Sequence, residues 1–215
     1  MPMNAQLALL RNNTQTWLEN NALVIYGGAP GGSGRMDYVL SATDDVGWVT
    51  TVGGMNLPVP FYVMYPAGTW HPKSNGQLSR SFRVHYISMR EFNPVTLQWE
   101  AAAVTHYTLP TWGRTVMVTS KINGCTFGIG SNGGARIVSH LRPPSSTPQG
   151  RMELERGTVG GIGGGGVVNA RIMSTGTENG TVVGIRNGAN WTFYAQRFRP
   201  MLGFGGFIDG VQVYH

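Results

Sequence analysis

The chain of 215 residues is rich in glycine (32) and proline (12), and only 12% of it is charged, against roughly a quarter in an average soluble domain. With 41% hydrophobic and 10% aromatic residues, wholesale disorder is excluded, and a composition with only Lys73 and Lys121 as lysines excludes a Glu/Lys-rich coiled coil. The net charge of +6 lies wholly in residues 101–215, where ten Lys/Arg stand against four Asp/Glu, while residues 1–100 balance six against six. The length holds one well-buried core, so residues 1–215 are expected to form a single domain.

Residues 5–18 are predicted to be a helix, because Ala5, Leu7, Ala8, Leu9, Leu10, Thr14, Trp17 and Leu18 recur at helical offsets. After Asn20–Asn21 the pattern changes to short apolar runs bounded by turn residues. Strands are expected near 22–26, 36–41, 47–52, 59–65, 80–89, 96–107, 114–120, 125–131, 134–140, 167–173, 181–186, 191–198 and 207–213. Phe82, Val84 and Tyr86 alternate with Arg83, His85 and Ile87, as on a two-faced strand. The fold class is therefore mainly β, a single-domain β-sandwich with an N-terminal helix and minor helical elements. The Pro143–Pro148 loop and the glycine run Gly160–Gly166 interrupt the cadence, but neither flank is long enough to fold alone.

Several familiar motifs fail on spacing. Gly27 to Arg35 follows a strand but ends without the Gly-Lys-Ser/Thr of a phosphate loop. Gly161, Gly163 and Gly166 match a dinucleotide fingerprint that leads into strand, with no helix N-terminus to hold an anion. Glu153-Leu154-Glu155, with Arg83 as a candidate strand arginine, lies too close to Ser145-Ser146-Thr147 for the layout of an ADP-ribosylating toxin. The histidines His71, His85, His106, His140 and His215 show no metal-ligand spacing; His85 and His106 are placed to meet across strands, as structural residues. No metal and no cofactor is expected. No basic cluster is denser than Arg151–Arg156 or Arg197–Arg199, which argues against a nucleic-acid face.

One segment carries chemistry. Asn132-Gly133 is a strong hairpin signal, because a two-residue turn there needs positive φ. Centred on those two residues, the pairing sets Ser131 opposite Gly134, Ile129 opposite Arg136, Phe127 opposite Val138 and Cys125 opposite His140. Directly paired residues share a face, so the only cysteine is expected beside a histidine. An imidazole there can take the thiol proton, and the thiolate can attack an acyl carbon. The turn at Asn123 and Gly124 is placed to aim backbone N–H groups at the developing oxyanion. The structural alternative is a small buried cysteine beside a core histidine.

At these residues the chain resembles the glutamine-deamidating toxins typified by the cytotoxic necrotizing factor catalytic domain and the Burkholderia lethal factor. Their Leu-Ser-Gly-Cys motif corresponds to Ile122-Asn123-Gly124-Cys125, with Asn in place of Ser, and His140 follows fifteen residues on. The resemblance implies that Cys125 is the nucleophile, His140 the acid and base, and Thr119, six residues before the cysteine, the group that orients the histidine. It further implies deamidation of a glutamine in a host protein, either a Rho-type small GTPase or a translation initiation helicase, without a cofactor. A virulence effector of this kind acts in the host cytosol. Met1–Leu10 has no basic n-region, so secretion without a cleaved leader is expected, and no stretch approaches the ~18 apolar residues of a membrane span. The same dyad would also serve a cysteine protease or a transglutaminase-like acyltransferase. A Gly-rich β-sandwich binding or shell protein, with its six Trp and eight Tyr as contact surfaces, is the non-enzymatic alternative.

Overall fold

A computed structural model describes residues 1–27, 33–93, 98–99, 107–113, 115–123, 125–132, 134–142, 167–173, 179–200 and 205–215. The predicted N-terminal helix is two: α1 (Met3–Asn12) and α2 (Thr14–Glu19). Asn13 breaks the run at φ −132° and ψ 53°. Its N–H still bonds the Leu9 carbonyl at 2.8 Å, and the Thr14 hydroxyl bonds the Leu10 carbonyl at 2.7 Å. Both helices turn Met3, Leu7, Leu10, Trp17 and Leu18 into the core.

Most strands fall where expected, but the run expected at 80–89 divides at Ser88 into two strands of different sheets. Met55–Pro58 and Ile122–Asn123 are strands where none was expected, and most of the strand expected at 96–107 lies outside the described residues. In chain order the strands are β1 (Ala22–Ile25), β2 (Gly34–Ala42), β3 (Trp48–Val52), β4 (Met55–Pro58), β5 (Phe61–Pro66), β6 (Phe82–Ile87), β7 (Met89–Asn93), β8 (Gln98–Trp99) and β9 (Tyr107–Thr108). The series continues with β10 (Val116–Thr119), β11 (Ile122–Asn123), β12 (Thr126–Asn132), β13 (Ala135–Arg142), β14 (Val167–Met173), β15 (Asn179–Asn187), β16 (Asn190–Pro200) and β17 (Gly206–Tyr214). Among the described residues they form two sheets. The larger runs β1-β5-β2-β6-β10-β15-β16-β17-β3-β4, with β11 also on β15; the smaller runs β14-β12-β13-β7-β8, with β9 on β13. Most neighbours are antiparallel, but β1–β5, β6–β10, β17–β3 and β13–β7 are parallel. No helix among the described residues is long and apolar enough to cross a membrane.

Both faces of the larger sheet are covered. Phe82, Val84, Tyr86, Val118 and Val183 pack under the helices, while Ile87, Met117, Val182 and Phe193 pack against Phe127, Ile129 and Val138 of the smaller sheet. Two-sided cover explains why every residue of β15 from Asn179 to Arg186 is buried. It also explains why His85 and Ile87, expected on the polar face of β6, lie in the interior, while Arg83 alone emerges. The Pro143–Pro148 loop, the Gly160–Gly166 run, Glu153, Glu155 and His106 lie outside the described residues.

Candidate functional site

Strands β12 and β13 form the expected hairpin, but the turn stands one residue later. Asn132 pairs with Ala135, and Gly134 takes the positive φ of 84°. The register therefore moves by two: Ser131 faces Arg136, Ile129 faces Val138, and Phe127, not Cys125, faces His140. A shift of one would have turned every side chain to the other face; a shift of two preserves the faces. Phe127, Ile129, Val138 and His140 all remain buried between the sheets. Cys125 enters β12 one residue ahead of the ladder and is 2% exposed in the same cluster as Phe127 and Ile129.

His140 is 1% exposed. The Thr119 hydroxyl donates to the Ile87 carbonyl at 2.7 Å and lies 2.6 Å from His140 Nδ1. A hydroxyl has one proton to give. With that proton committed to Ile87, the second contact runs the other way: His140 Nδ1–H donates to Thr119 Oγ1. The ring is therefore the Nδ1–H tautomer, and its Nε2 carries the free lone pair. That Nε2 is buried and has no hydrogen-bond partner among the described residues. Burial also lowers the pKa of His140 to about 3, so the imidazole is neutral around pH 7 and presents a base without a donor.

Strand β7 closes the arrangement. Met89 pairs directly with His140 across the parallel β13–β7 ladder, and its Sδ lies 3.5 Å from Cys125 Sγ. The thiol also donates to the Asn123 carbonyl at 3.3 Å. Cysteine and histidine are thus neighbours of one methionine, and no hydrogen bond joins thiol to imidazole. The part of Asn123 that meets the sulfur is its carbonyl; Gly124, the other residue of the expected oxyanion turn, lies outside the described residues. Thr119 and His140 meet across the two sheets, and Cys125 is linked to them through Met89. Met89 was not a sequence candidate, since nothing in the order of residues says that β7 lies parallel to β13.

His85 meets Tyr107: Nδ1 and the phenolic oxygen are 2.9 Å apart, joining β6 to β9. Among the described residues no group of His, Cys, Asp and Glu is placed to hold a metal ion. No family model matches the chain, and no curated protein matches it in sequence.

Proposed function

We propose that this protein is a cysteine-dependent deamidase of glutamine side chains in a protein substrate. The observation that carries the reading is the buried Nε2 of His140, without a partner among the described residues, on a ring fixed by Thr119 and in a strand paired with Met89, whose sulfur meets Cys125. A lone pair deprived of water and of any donor is costly to leave unused in a structural core. Burial disfavours the protonated ring, so Nε2 takes a thiol proton only with the thiolate formed beside it as counter-charge.

In the proposed reaction the Cys125 proton moves to His140 Nε2 and the thiolate adds to the carboxamide carbon. The tetrahedral intermediate collapses as the imidazolium gives its proton to the departing nitrogen, releasing ammonia and leaving a thioester. Water then gives a proton to Nε2 as it attacks the acyl carbon, and the sulfur leaves, reprotonated, to yield glutamate. Thr119 holds the ring throughout by accepting from Nδ1–H. Access requires Met89 to move from the sulfur, and an unbranched thioether side chain does so readily. A host small GTPase or translation initiation helicase is the substrate the resemblance implies, met in the host cytosol.

The first experiment is alkylation of Cys125 by iodoacetamide across pH, followed by intact mass, with wild type and His140→Ala. One cysteine makes the readout unambiguous. The expected result is a reaction that continues well below the free thiol pKa of about 8.5 and is lost without His140. Incubation with the candidate host proteins should then raise one glutamine-containing peptide by about one dalton, the exchange of an amide nitrogen for oxygen by way of the thioester, and Cys125→Ser should abolish it. Cleaved or amine-linked products would indicate the protease or transglutaminase chemistry instead. A thiol that resists until the protein unfolds would leave the non-enzymatic module, which the 2% exposure of Cys125 favours.

A further inference from the structure

At the β2–β6 corner the inner face of the larger sheet emerges from beneath the smaller sheet. Arg35 pairs with His85 and Asp37 with Arg83, so four side chains share that face. With Arg11 and Trp112 they line a groove of about 460 Å³. Three guanidinium groups there meet one carboxylate. Arg83 is bound to Asp37 by two bonds of 2.8 and 3.0 Å. Arg35 is exposed and pairs with no carboxylate of the described residues; its guanidinium lies 6.0 Å from the centre of the Trp112 ring.

Trp112 is 70% exposed, yet the chain on either side of it is fastened. The buried Arg186 donates to the carbonyls of Thr111 and Gly113, Trp191 Nε1 donates to the Pro110 carbonyl at 3.0 Å, and Leu109 N–H donates to the Arg136 carbonyl at 2.8 Å. A buried arginine thus holds an indole out in solvent. A large, preorganised aromatic surface beside an exposed guanidinium is the composition of a binding hot spot.

The groove is in line with the cysteine–histidine cluster. His85 at its inner wall is two residues before Ile87, whose carbonyl anchors Thr119. Tyr107, bonded to His85, pairs with Val138, two residues before His140. From Arg83 to Ile87 is four residues of strand, about 13 Å, the reach of some four residues of extended peptide.

We propose that this groove docks an acidic segment of the substrate protein, with carboxylates meeting Arg35 and an aromatic side chain stacking on Trp112. A phosphate fits less well. The arginines are spread along an open trough rather than converging, and one is already engaged with Asp37. Naming the occupant as substrate rests on the deamidase reading; the binding itself is measured without turnover.

The test is fluorescence anisotropy of a labelled Glu-Glu-Tyr-Glu-Glu peptide against the full chain, with Lys-Lys-Tyr-Lys-Lys as the control. The acidic peptide should bind, weaken with added salt, and weaken by about tenfold in Arg35→Glu and in Trp112→Ala, while Cys125→Ser binds as wild type. Both altered side chains are exposed, so each variant should melt like wild type. Equal binding of the two peptides, unchanged affinity in both variants, or displacement of the peptide by equimolar inorganic phosphate would overturn the proposal. If the peptide binds as expected but no deamidation is ever found, the groove stands and only the reaction falls.

Discussion

His140 is ionisable, fully buried and neutral, and that combination has a consequence for stability. Its folded pKa of about 3 lies below the ordinary 6.5, so between those values the unfolded chain binds a proton that the folded chain refuses. The stability it contributes is complete above pH 6.5 and is lost as pH falls toward 3, with a slope of up to about 1.4 kcal/mol per pH unit. His71 and His85 are shifted downward by burial as well and add to the same trend. Urea denaturation of wild type and His140→Asn between pH 7 and pH 4 separates the share of His140: the variant should show the shallower decline. Thr119 is testable on the same footing. Thr119→Val keeps the shape but leaves Nδ1–H without an acceptor, at a cost of about 1–3 kcal/mol. The loss should appear in denaturant melts, together with slower alkylation of Cys125 at low pH, and Thr119→Ser should restore both. Cys125 and His140 were legible in the sequence through a sole cysteine and a hairpin turn, and Thr119 only through the resemblance. Met89 and the Ile87 carbonyl were not, because they reach the site only through parallel strand pairing.

At the level of elements, the turn shows how a correct face can come from an incorrect register. Asn-Gly is the stronger textual signal, but Asn132 remains in the ladder opposite Ala135, and Gly134 takes the left-handed conformation. Alternation of period two made the face insensitive to that displacement. The strands were legible where apolar runs are bounded by turn residues. β4 escaped because all four of its residues are exposed, and β11 because it is two residues long. The α1–α2 break escaped because the apolar periodicity continues across Asn13. One side chain fastens this helical pair to the sheets. Gln196, buried in β16, donates to the carbonyls of Leu18 and Asn21 and accepts from Leu23 N–H at 2.9 Å. Gln196→Leu matches its bulk but strips two buried backbone groups and the half-buried Asn21 carbonyl of their partner, and should cost about 2–3 kcal/mol. Equilibrium urea unfolding measures it, and amide exchange should quicken first at Leu23.

The cysteine–histidine cluster belongs to the whole molecule more than to any strand. Thr119 and the Ile87 carbonyl come from the larger sheet, Met89, Cys125 and His140 from the smaller one, and the apolar layer between them sets their separation. Such an assembly can expose its thiol in two ways: by movement of Met89 alone, or by parting of the sheets. The two differ in surface uncovered and therefore in denaturant sensitivity, since the slope of an opening free energy against urea scales with the area exposed. Displacing one thioether uncovers little; separating the sheets uncovers Phe127, Phe193, Ile129 and Val182 together. Alkylation of Cys125 measured at rising urea, below the unfolding transition, should therefore be nearly flat for a working nucleophile. Met89→Ala should raise the rate without changing that flatness. A logarithm of rate that climbs with the slope of global unfolding would mean that the sulfur is reached only when the sandwich opens, and would assign Cys125 to the core.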